Sequence, residues 1–200
     1  MKLKNIVETI RQGIDRMKGE EAVDKTFCSQ NVLADELAAR NAFNQARERL
    51  FAINRWSNLS SLTADFMLHD SDGNPKTGQP EIGDSIRIDL PGPVPENWVR
   101  VVELVDEENK AGFTARPCAD PRETGVETEH FFTDEATSTF WLERQGTALV
   151  ACQIGENEQT NNHDEQAGGR AVVNTAIAGT GWLFYQKIQW KTLTDYLVGI

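Results

Sequence analysis

Hydrophobic residues recur at helical spacing close to the start of the chain. Ile6, Val7, Ile10 and Ile14 stand between charged residues, and Gly19 follows as a plausible stop. Apolar residues three and four positions apart lie on one face of a helix. This spacing predicts an amphipathic helix over residues 3–18. We therefore expect residues 1–19 to form an N-terminal extension, and residues 20–200 to form a single domain.

A second helix is predicted over residues 32–56. Its apolar positions follow steps of four, three, four and three, and they form one continuous stripe on the helix surface. The interpretation we favour is core packing. The stripe consists of Ala39, Phe43, Ala46, Leu50 and Ile53.

After Ser60 the apolar residues begin to alternate with polar ones, which is the period of a half-buried strand. Tight turn sequences such as Gln145-Gly146 separate these segments, and no helical segment lies between them. The pattern predicts an antiparallel meander. A weak extended piece around 26–28 precedes it, and the main strands are expected near 64–69, 85–90, 98–105, 112–115, 127–132, 137–144 and 147–154.

The many apolar residues in the last part of the chain predict a long helix that starts at Arg170, after the polar segment 155–169. It is too apolar for a narrow stripe, so it must be covered on more than one side. Gly179 and Gly181 are possible interruptions. The element order is therefore helix, antiparallel sheet and long C-terminal helix, which is an α+β fold.

Composition and charge narrow the possible partners. The net charge is -11. Nucleic-acid binding needs clustered Lys and Arg, and anionic membrane surfaces attract basic segments, so neither partner is expected. Glu8, Arg11 and Asp15 interrupt any apolar core of a signal peptide, and no stretch has the length of a membrane span. We expect a cytoplasmic protein.

The three cysteines are Cys28, Cys118 and Cys152. Their number is odd and no two are close in sequence, so the sequence indicates neither a disulfide framework nor a zinc site. Cys152 ends the apolar run 148–152 and is interpreted as a small buried hydrophobic residue.

The order of elements resembles the helix-grip layout of the START-like superfamily, which includes polyketide cyclases and lipid-transfer domains. The resemblance rests on Phe43, Leu50 and Trp56 before the sheet, on 83–86 at the start of a strand, and on the late hairpin 140–149. It implies a cavity between the sheet and the C-terminal helix that holds an apolar ligand, without fixed catalytic residues. The N-terminal helix is an addition to that layout. An NTF2-like cone is the alternative fold, although such cones usually end on strands.

No motif for a metal, a cofactor or a nucleophile stands out. The sequence lacks G-x-S-x-G, H-E-x-x-H, C-x-x-C and a phosphate-binding glycine loop. The segment 70–74 has its glycine at the fourth position where an EF-hand loop needs it at the sixth. Although Glu81 falls at the twelfth position, a strand follows where an EF-hand has a helix, so the segment is predicted to be a turn. Glu127 and Glu129 share one strand face while His130 points to the other, so they do not converge on a metal. We expect neither a metal nor a cofactor.

The tryptophans are the best candidates for the wall of a cavity. Most of them are expected to pack in the core, since aromatic side chains dominate core energetics. Arg100 shares a strand face with Trp98, and it and His130 are polar groups that could orient a ligand. A salt bridge at the strand edge is the simpler role for Arg100. The expected ligand-binding residues are Trp98, Arg100, His130, Trp141 and Trp182.

Three functions are compatible with this pattern. The first is a binding protein for an apolar or amphipathic small molecule. The second is a cyclase- or hydratase-like enzyme that uses acid–base groups in the same cavity. The third is an interaction module that forms a homodimer through the helix at 3–18. We favour the first.

Overall fold

The computed structural model describes residues 25–60, 63–90, 96–123, 135–157 and 180–200, and it describes the side chains of the last range from Gln186 onward. The predicted helix at 3–18, the predicted strand at 127–132, the polar segment 155–169 from residue 158 onward, and residues 170–179 lie outside these ranges. The boundary proposed at residue 19 lies outside them as well and stays a prediction.

The described chain forms one antiparallel sheet with helices before and after its main strands. The strands are β1 (Lys25–Val32), β2 (Asp65–His69), β3 (Ser85–Asp89), β4 (Asn97–Asp106), β5 (Lys110–Pro117), β6 (Thr137–Gln145) and β7 (Ala148–Glu156). Helix α1 spans Glu36–Phe51, a 3-10 helix spans Ile53–Asn58, and helix α2 spans Thr180–Val198.

The seven strands lie in the order β1-β7-β6-β5-β4-β3-β2. Every pair is antiparallel, and β1 and β2 are the two edges. The sheet and the C-terminal helix confirm the predicted helix-grip fold. The weak extended piece predicted at 26–28 is a complete strand, and its pairing with β7 places the first and the last described strands side by side.

The helix predicted as one piece over 32–56 is divided into two. Asp35 caps the start of α1 by accepting a hydrogen bond from the Ala38 amide (2.7 Å), and the backbone leaves the helix at Ala52. The indole N–H of Trp56 donates to the Arg49 carbonyl (3.0 Å), one of the carbonyls that the end of α1 leaves without a helical partner. This bond turns the following 3-10 helix back against α1.

The hydrophobic core lies between the sheet and the two helices. We call the side of the sheet that carries this core the helix-facing side, and the opposite side the outer side. Leu193 and Leu197 of α2 are fully buried there. They pack in one cluster with α1 and with alternate residues of the strands, including Phe43, Leu50, Phe66, Ile86, Val99, Val101, Phe113, Phe140, Leu142 and Leu149.

Two of the cysteines form a disulfide, although the sequence indicates none; Cys152 is buried as predicted, but as one half of this bond and not as a free hydrophobic side chain. Cys28 of β1 and Cys152 of β7 are register partners with Cα atoms 4.2 Å apart, and their sulfurs are bonded. Because 124 residues separate them, their pairing depends on a strand register that sequence spacing does not reveal. Cys118 is a buried free thiol.

None of the described helices is both long enough and apolar enough to cross a membrane.

Candidate functional site

Aromatic rings from five elements meet on the helix-facing side of the sheet. Trp56 of the 3-10 helix stacks on Phe113 of β5, with ring centroids 6.0 Å apart, and lies 5.0 Å from Phe140 of β6. Trp190 of α2 lies 5.5 Å from Phe140 and 6.4 Å from Phe66 of β2. These are the spacings of interacting aromatic pairs. We call these five residues the aromatic cluster.

The two tryptophans of the aromatic cluster differ in how their N–H groups are satisfied. The Trp56 indole donates to the Arg49 carbonyl, whereas the buried Nε1 of Trp190 has no acceptor among the described residues. A buried donor without a partner costs about 1–3 kcal/mol. A molecule that offers an acceptor to Trp190 would therefore gain a hydrogen bond in addition to aromatic contact.

A surface cleft of about 400 Å³ is lined in part by Ser57 and Asp65, which are the sequence neighbours of Trp56 and Phe66. Ser57 lines this cleft, and its hydroxyl accepts a hydrogen bond from the Phe66 amide (2.7 Å). Helix α2 lies alongside, because Gln189 Oε1 accepts a bond from the Ala64 amide (2.7 Å). The lining is mostly polar and consists of Ser57, Asn58, Ser60, Thr63, Asp65, Asp89 and Leu90.

The cleft is polar, the aromatic cluster is apolar, and none of the five rings lines the cleft. Ligand sites commonly combine apolar walls with a few polar groups that fix the orientation of the ligand, and a volume of about 400 Å³ is within their usual range. The five members of the aromatic cluster carry no titratable group, whereas two carboxylates, Asp65 and Asp89, line the cleft.

Three of the residues predicted to bind ligand lie on the outer side of the sheet. Trp98 is the register partner of Arg87, whereas its neighbour Val99 is the partner of Ile86, and both Val99 and Ile86 belong to the helix-facing core. Trp98 contacts the His69 ring (4.8 Å between centroids) and the Arg122 guanidinium (4.8 Å).

Arg100 shares the outer side with Trp98, as the alternation predicts, and it is exposed. No described carboxylate forms an ion pair with it, so the predicted salt bridge is not found. Trp141 also lies on the outer side, where it packs against the cluster that contains the disulfide and donates to Glu143 Oε2 (3.1 Å).

Trp98, Arg100 and Trp141 therefore cannot face a cavity between the sheet and α2. Strand β4 is apolar on both sides near its start, so alternation groups its residues correctly without showing which group faces the helices. His130 lies outside the described residues, and the Trp182 side chain is not described. Whether any of the five residues binds a ligand stays a prediction.

The sequence interpretation missed most of the aromatic cluster. Phe113 and Phe140 alternate with Thr114 and Thr139, whose hydroxyls meet on the outer side (3.1 Å). That alternation of aromatic residue and threonine is a signal for an inward-facing phenylalanine. In β4 no comparable contrast separates Trp98 from Val99.

The fold and the site define an α+β helix-grip protein with an aromatic interior. No protein-family model matches the sequence, and a search among curated proteins finds no relative at significant similarity. Among solved structures, the chain is similar to hypothetical protein jhp0584 from Helicobacter pylori, with a TM-score of 0.56 and 11% identity over 93% of this chain and 92% of that chain. This likeness shows the fold.

Two further similarities are more distant. Major latex-like protein 151 from Panax ginseng matches with a TM-score of 0.44 and 14% identity over 88% of this chain and 96% of that chain. Norcoclaurine synthase from Thalictrum flavum, solved with dopamine and hydroxybenzaldehyde, matches with a TM-score of 0.42 and 11% identity over 89% and 88%. These two neighbours are Bet v1-like proteins of the START/polyketide cyclase helix-grip superfamily. At such TM-scores they say nothing about the function of this chain.

Proposed function

We propose that this chain is a START-like binding protein for a small apolar or amphipathic molecule, held between the sheet and α2. The observation that carries the proposal is the buried Trp190 N–H without a described acceptor, set among the rings of Phe66 and Phe140. The cleft at Ser57 and Asp65, the sequence neighbours of Trp56 and Phe66, would supply polar groups at the surface. Rings would contact the apolar part of the ligand, and Trp190 would donate to an acceptor on it.

The test uses 8-anilinonaphthalene-1-sulfonate, a dye that combines aromatic rings with an anionic acceptor. Trp190→Phe keeps a ring at the position and removes the N–H. Because a hydrogen bond to a charged acceptor contributes about 1.5–3 kcal/mol, we expect the dissociation constant to rise at least about tenfold. Binding is measured by dye fluorescence titration on the natively folded full chain.

Trp141→Phe is the matched control, since it makes the same exchange on the outer side. It should leave dye affinity unchanged. The proposal fails if the unmodified protein does not bind the dye, or if Trp190→Phe and Trp141→Phe have the same affinity. Native mass spectrometry of freshly purified protein adds a direct check, because a co-purifying molecule would reveal its mass and hence its class.

The other two functions stay predictions without a specific observation in their favour. An enzyme would need a titratable group in the cavity with a shifted pKa, and the residue favoured from the sequence, His130, is outside the described residues. Dimer formation through residues 3–18 would be tested by deleting residues 1–19 and measuring the oligomeric mass. A cytoplasmic location likewise stays a prediction.

A further inference from the structure

Edge strand β1 holds α2 through side chains on its helix-facing side. Ser29 is 2% exposed, and its hydroxyl bonds to Thr194 Oγ1 (2.7 Å), Asp195 Oδ1 (2.6 Å) and Lys191 Nζ (2.9 Å). These three partners belong to consecutive turns of α2, and Lys191 also forms an ion pair with Asp195. One buried serine thus connects β1 to the middle of the helix.

Further bonds extend this connection along the strand. Lys25 Nζ donates to Gln186 Oε1 (3.1 Å), and Asn31 Nδ2 donates to the Val198 carbonyl (3.0 Å). Bonds from β1 therefore reach both ends of the part of α2 whose side chains are described. All three β1 residues occupy odd positions and so share one side of the strand.

The outer side of the same strand carries the disulfide. Cys28 lies between the helix-holding positions, and it is bonded to Cys152 of β7, the only strand that pairs with β1 in the described sheet. Cys152 is 1% exposed, whereas Cys28 is only partly buried. The covalent bond therefore adds to the backbone hydrogen bonds and side-chain contacts that hold this edge strand.

We propose that the Cys28–Cys152 disulfide is a redox-controlled latch on α2. A dithiol reductant attacks a sulfur of the bond, most accessibly that of Cys28, and forms a mixed disulfide while the other cysteine leaves as a thiolate. The second thiol of the reductant then displaces the protein sulfur. The products are two protein thiols and one oxidised reductant. Without the bond, β1 opens more often and releases its contacts with α2.

The latch is independent of whether the cavity binds a small molecule. In a reducing compartment a disulfide is usually transient, as a reversible latch requires, and in an oxidising compartment it would persist. Helix α2 has other attachments, such as the bond from Arg49 Nη1 to the Tyr196 carbonyl (3.1 Å) and the bond that Gln189 Oε1 accepts from the Ala64 amide. Reduction should thus loosen the helix without unfolding the domain.

The test is amide hydrogen exchange of the full chain, oxidised and then reduced with excess dithiothreitol, followed by mass spectrometry. Local opening controls exchange in such segments. We expect amides of β1 and of residues 186–198 to exchange about tenfold faster after reduction, while those of β3–β5 change by less than about twofold. Alkylation before digestion identifies which cysteines are thiols.

Two variants control the experiment. The Cys28→Ser, Cys152→Ser double variant should show the reduced pattern and no response to dithiothreitol. Cys118→Ser should respond like the unmodified protein, because burial raises the pKa of the Cys118 thiol to about 11 and keeps it out of thiol exchange at neutral pH. If the double variant does not fold, the comparison of oxidised and reduced unmodified protein decides alone.

Three results would overturn the latch. The first is that the disulfide does not form in a glutathione redox buffer. The second is that the folded protein resists reduction. The third is that reduction accelerates exchange equally in all strands, which would show a staple that raises overall stability without controlling α2.

Discussion

Two arginines face each other on the outer side of the sheet. Arg100 of β4 and Arg116 of β5 are register partners, both are exposed, and no described carboxylate forms an ion pair with either. By contrast Arg87 pairs with Asp89, and Arg122 pairs with Asp120. Like charges directly opposite each other on neighbouring strands are destabilising. The arrangement is therefore a local weakness at the scale of single residues.

Replacing one of the two charges should strengthen the sheet. We expect Arg116→Glu to raise the free energy of unfolding by about 0.2–1 kcal/mol, since it creates an opposite-charge pair with Arg100. Glu103 lies opposite Thr114 on the same side of the sheet and carries the same charge as the new glutamate, so we expect the gain near the lower end of this range. Urea titration at low ionic strength measures the effect, and added salt should reduce it.

Arg55→Glu is the control for this substitution. Arg55 is exposed on the 3-10 helix, away from any cross-strand arginine, so the variant has the same net charge without the new pair. Equal stabilities of the two variants would show that the Arg100–Arg116 repulsion is negligible.

At the scale of elements, the sequence predicts helices and strands well where the hydrophobic period and the turn residues indicate the same boundaries. Alternation predicts β6 and β7, and Gly146, which adopts φ +60°, marks the turn between them; the turn itself is Gly146–Thr147, one residue later than the predicted Gln145–Gly146. The strand at residues 25–32 is difficult to predict from the sequence because Ser29, Gln30 and Asn31 have weak strand preference. They form a strand because β7 and α2 bind them, and such long-range contacts are not visible in local sequence.

Ser29 offers a direct test of how strongly β1 and α2 depend on each other. Ser29→Ala removes one hydroxyl and three bonds, although Lys191 and Asp195 still pair with each other. We expect a loss of about 1–3 kcal/mol in the free energy of unfolding, because Thr194 and Asp195 lose a buried partner. Chemical denaturation of oxidised protein measures this loss.

The comparison variant is Ser71→Ala, in an exposed turn, which should unfold like the unmodified protein. A loss below about 0.5 kcal/mol for Ser29→Ala would mean that water replaces the hydroxyl without cost. The attachment of α2 would then depend on its apolar residues.

At the scale of the whole molecule, the order of elements was sufficient to predict the fold, whereas the site needed the register. A meander followed by a terminal helix leaves few compact arrangements, and the predicted helix-grip layout is the one observed. The side on which Trp98 or Cys28 lies depends on one-residue register choices. Neither the composition of β4 nor the spacing of the cysteines fixes those choices.

Acid stability is the whole-molecule property that the charges determine. The chain carries a net charge of -11, and several carboxylates are held by cations. Hydrogen bonds from Arg47 lower the pKa of Asp106, and hydrogen bonds from Arg122 lower the pKa of Asp120. Both shifts are depressions from the ordinary value of 3.8. Such groups stabilise the fold above their unfolded-state pKa, and this contribution is lost as pH falls through the folded-state pKa.

We therefore expect Asp106 and Asp120 to cause little pH dependence in the free energy of unfolding above about pH 5. Below about pH 4 the free energy should fall steeply, because the unfolded chain takes up protons before the folded protein does. Asp106→Asn removes the carboxylate that links Arg47 of α1 to the end of β4, so it should lower the free energy of unfolding at neutral pH. Because the residue no longer titrates, the free energy should also fall less steeply as the pH decreases. Thermal unfolding between pH 3 and 7 measures both effects. Asp72→Asn, in an exposed turn, is the control and should retain the steep fall in the free energy of unfolding at acid pH. If Asp106→Asn shows the same steep fall, the ion pair with Arg47 does not contribute to acid sensitivity. The other carboxylates would then have to account for that sensitivity.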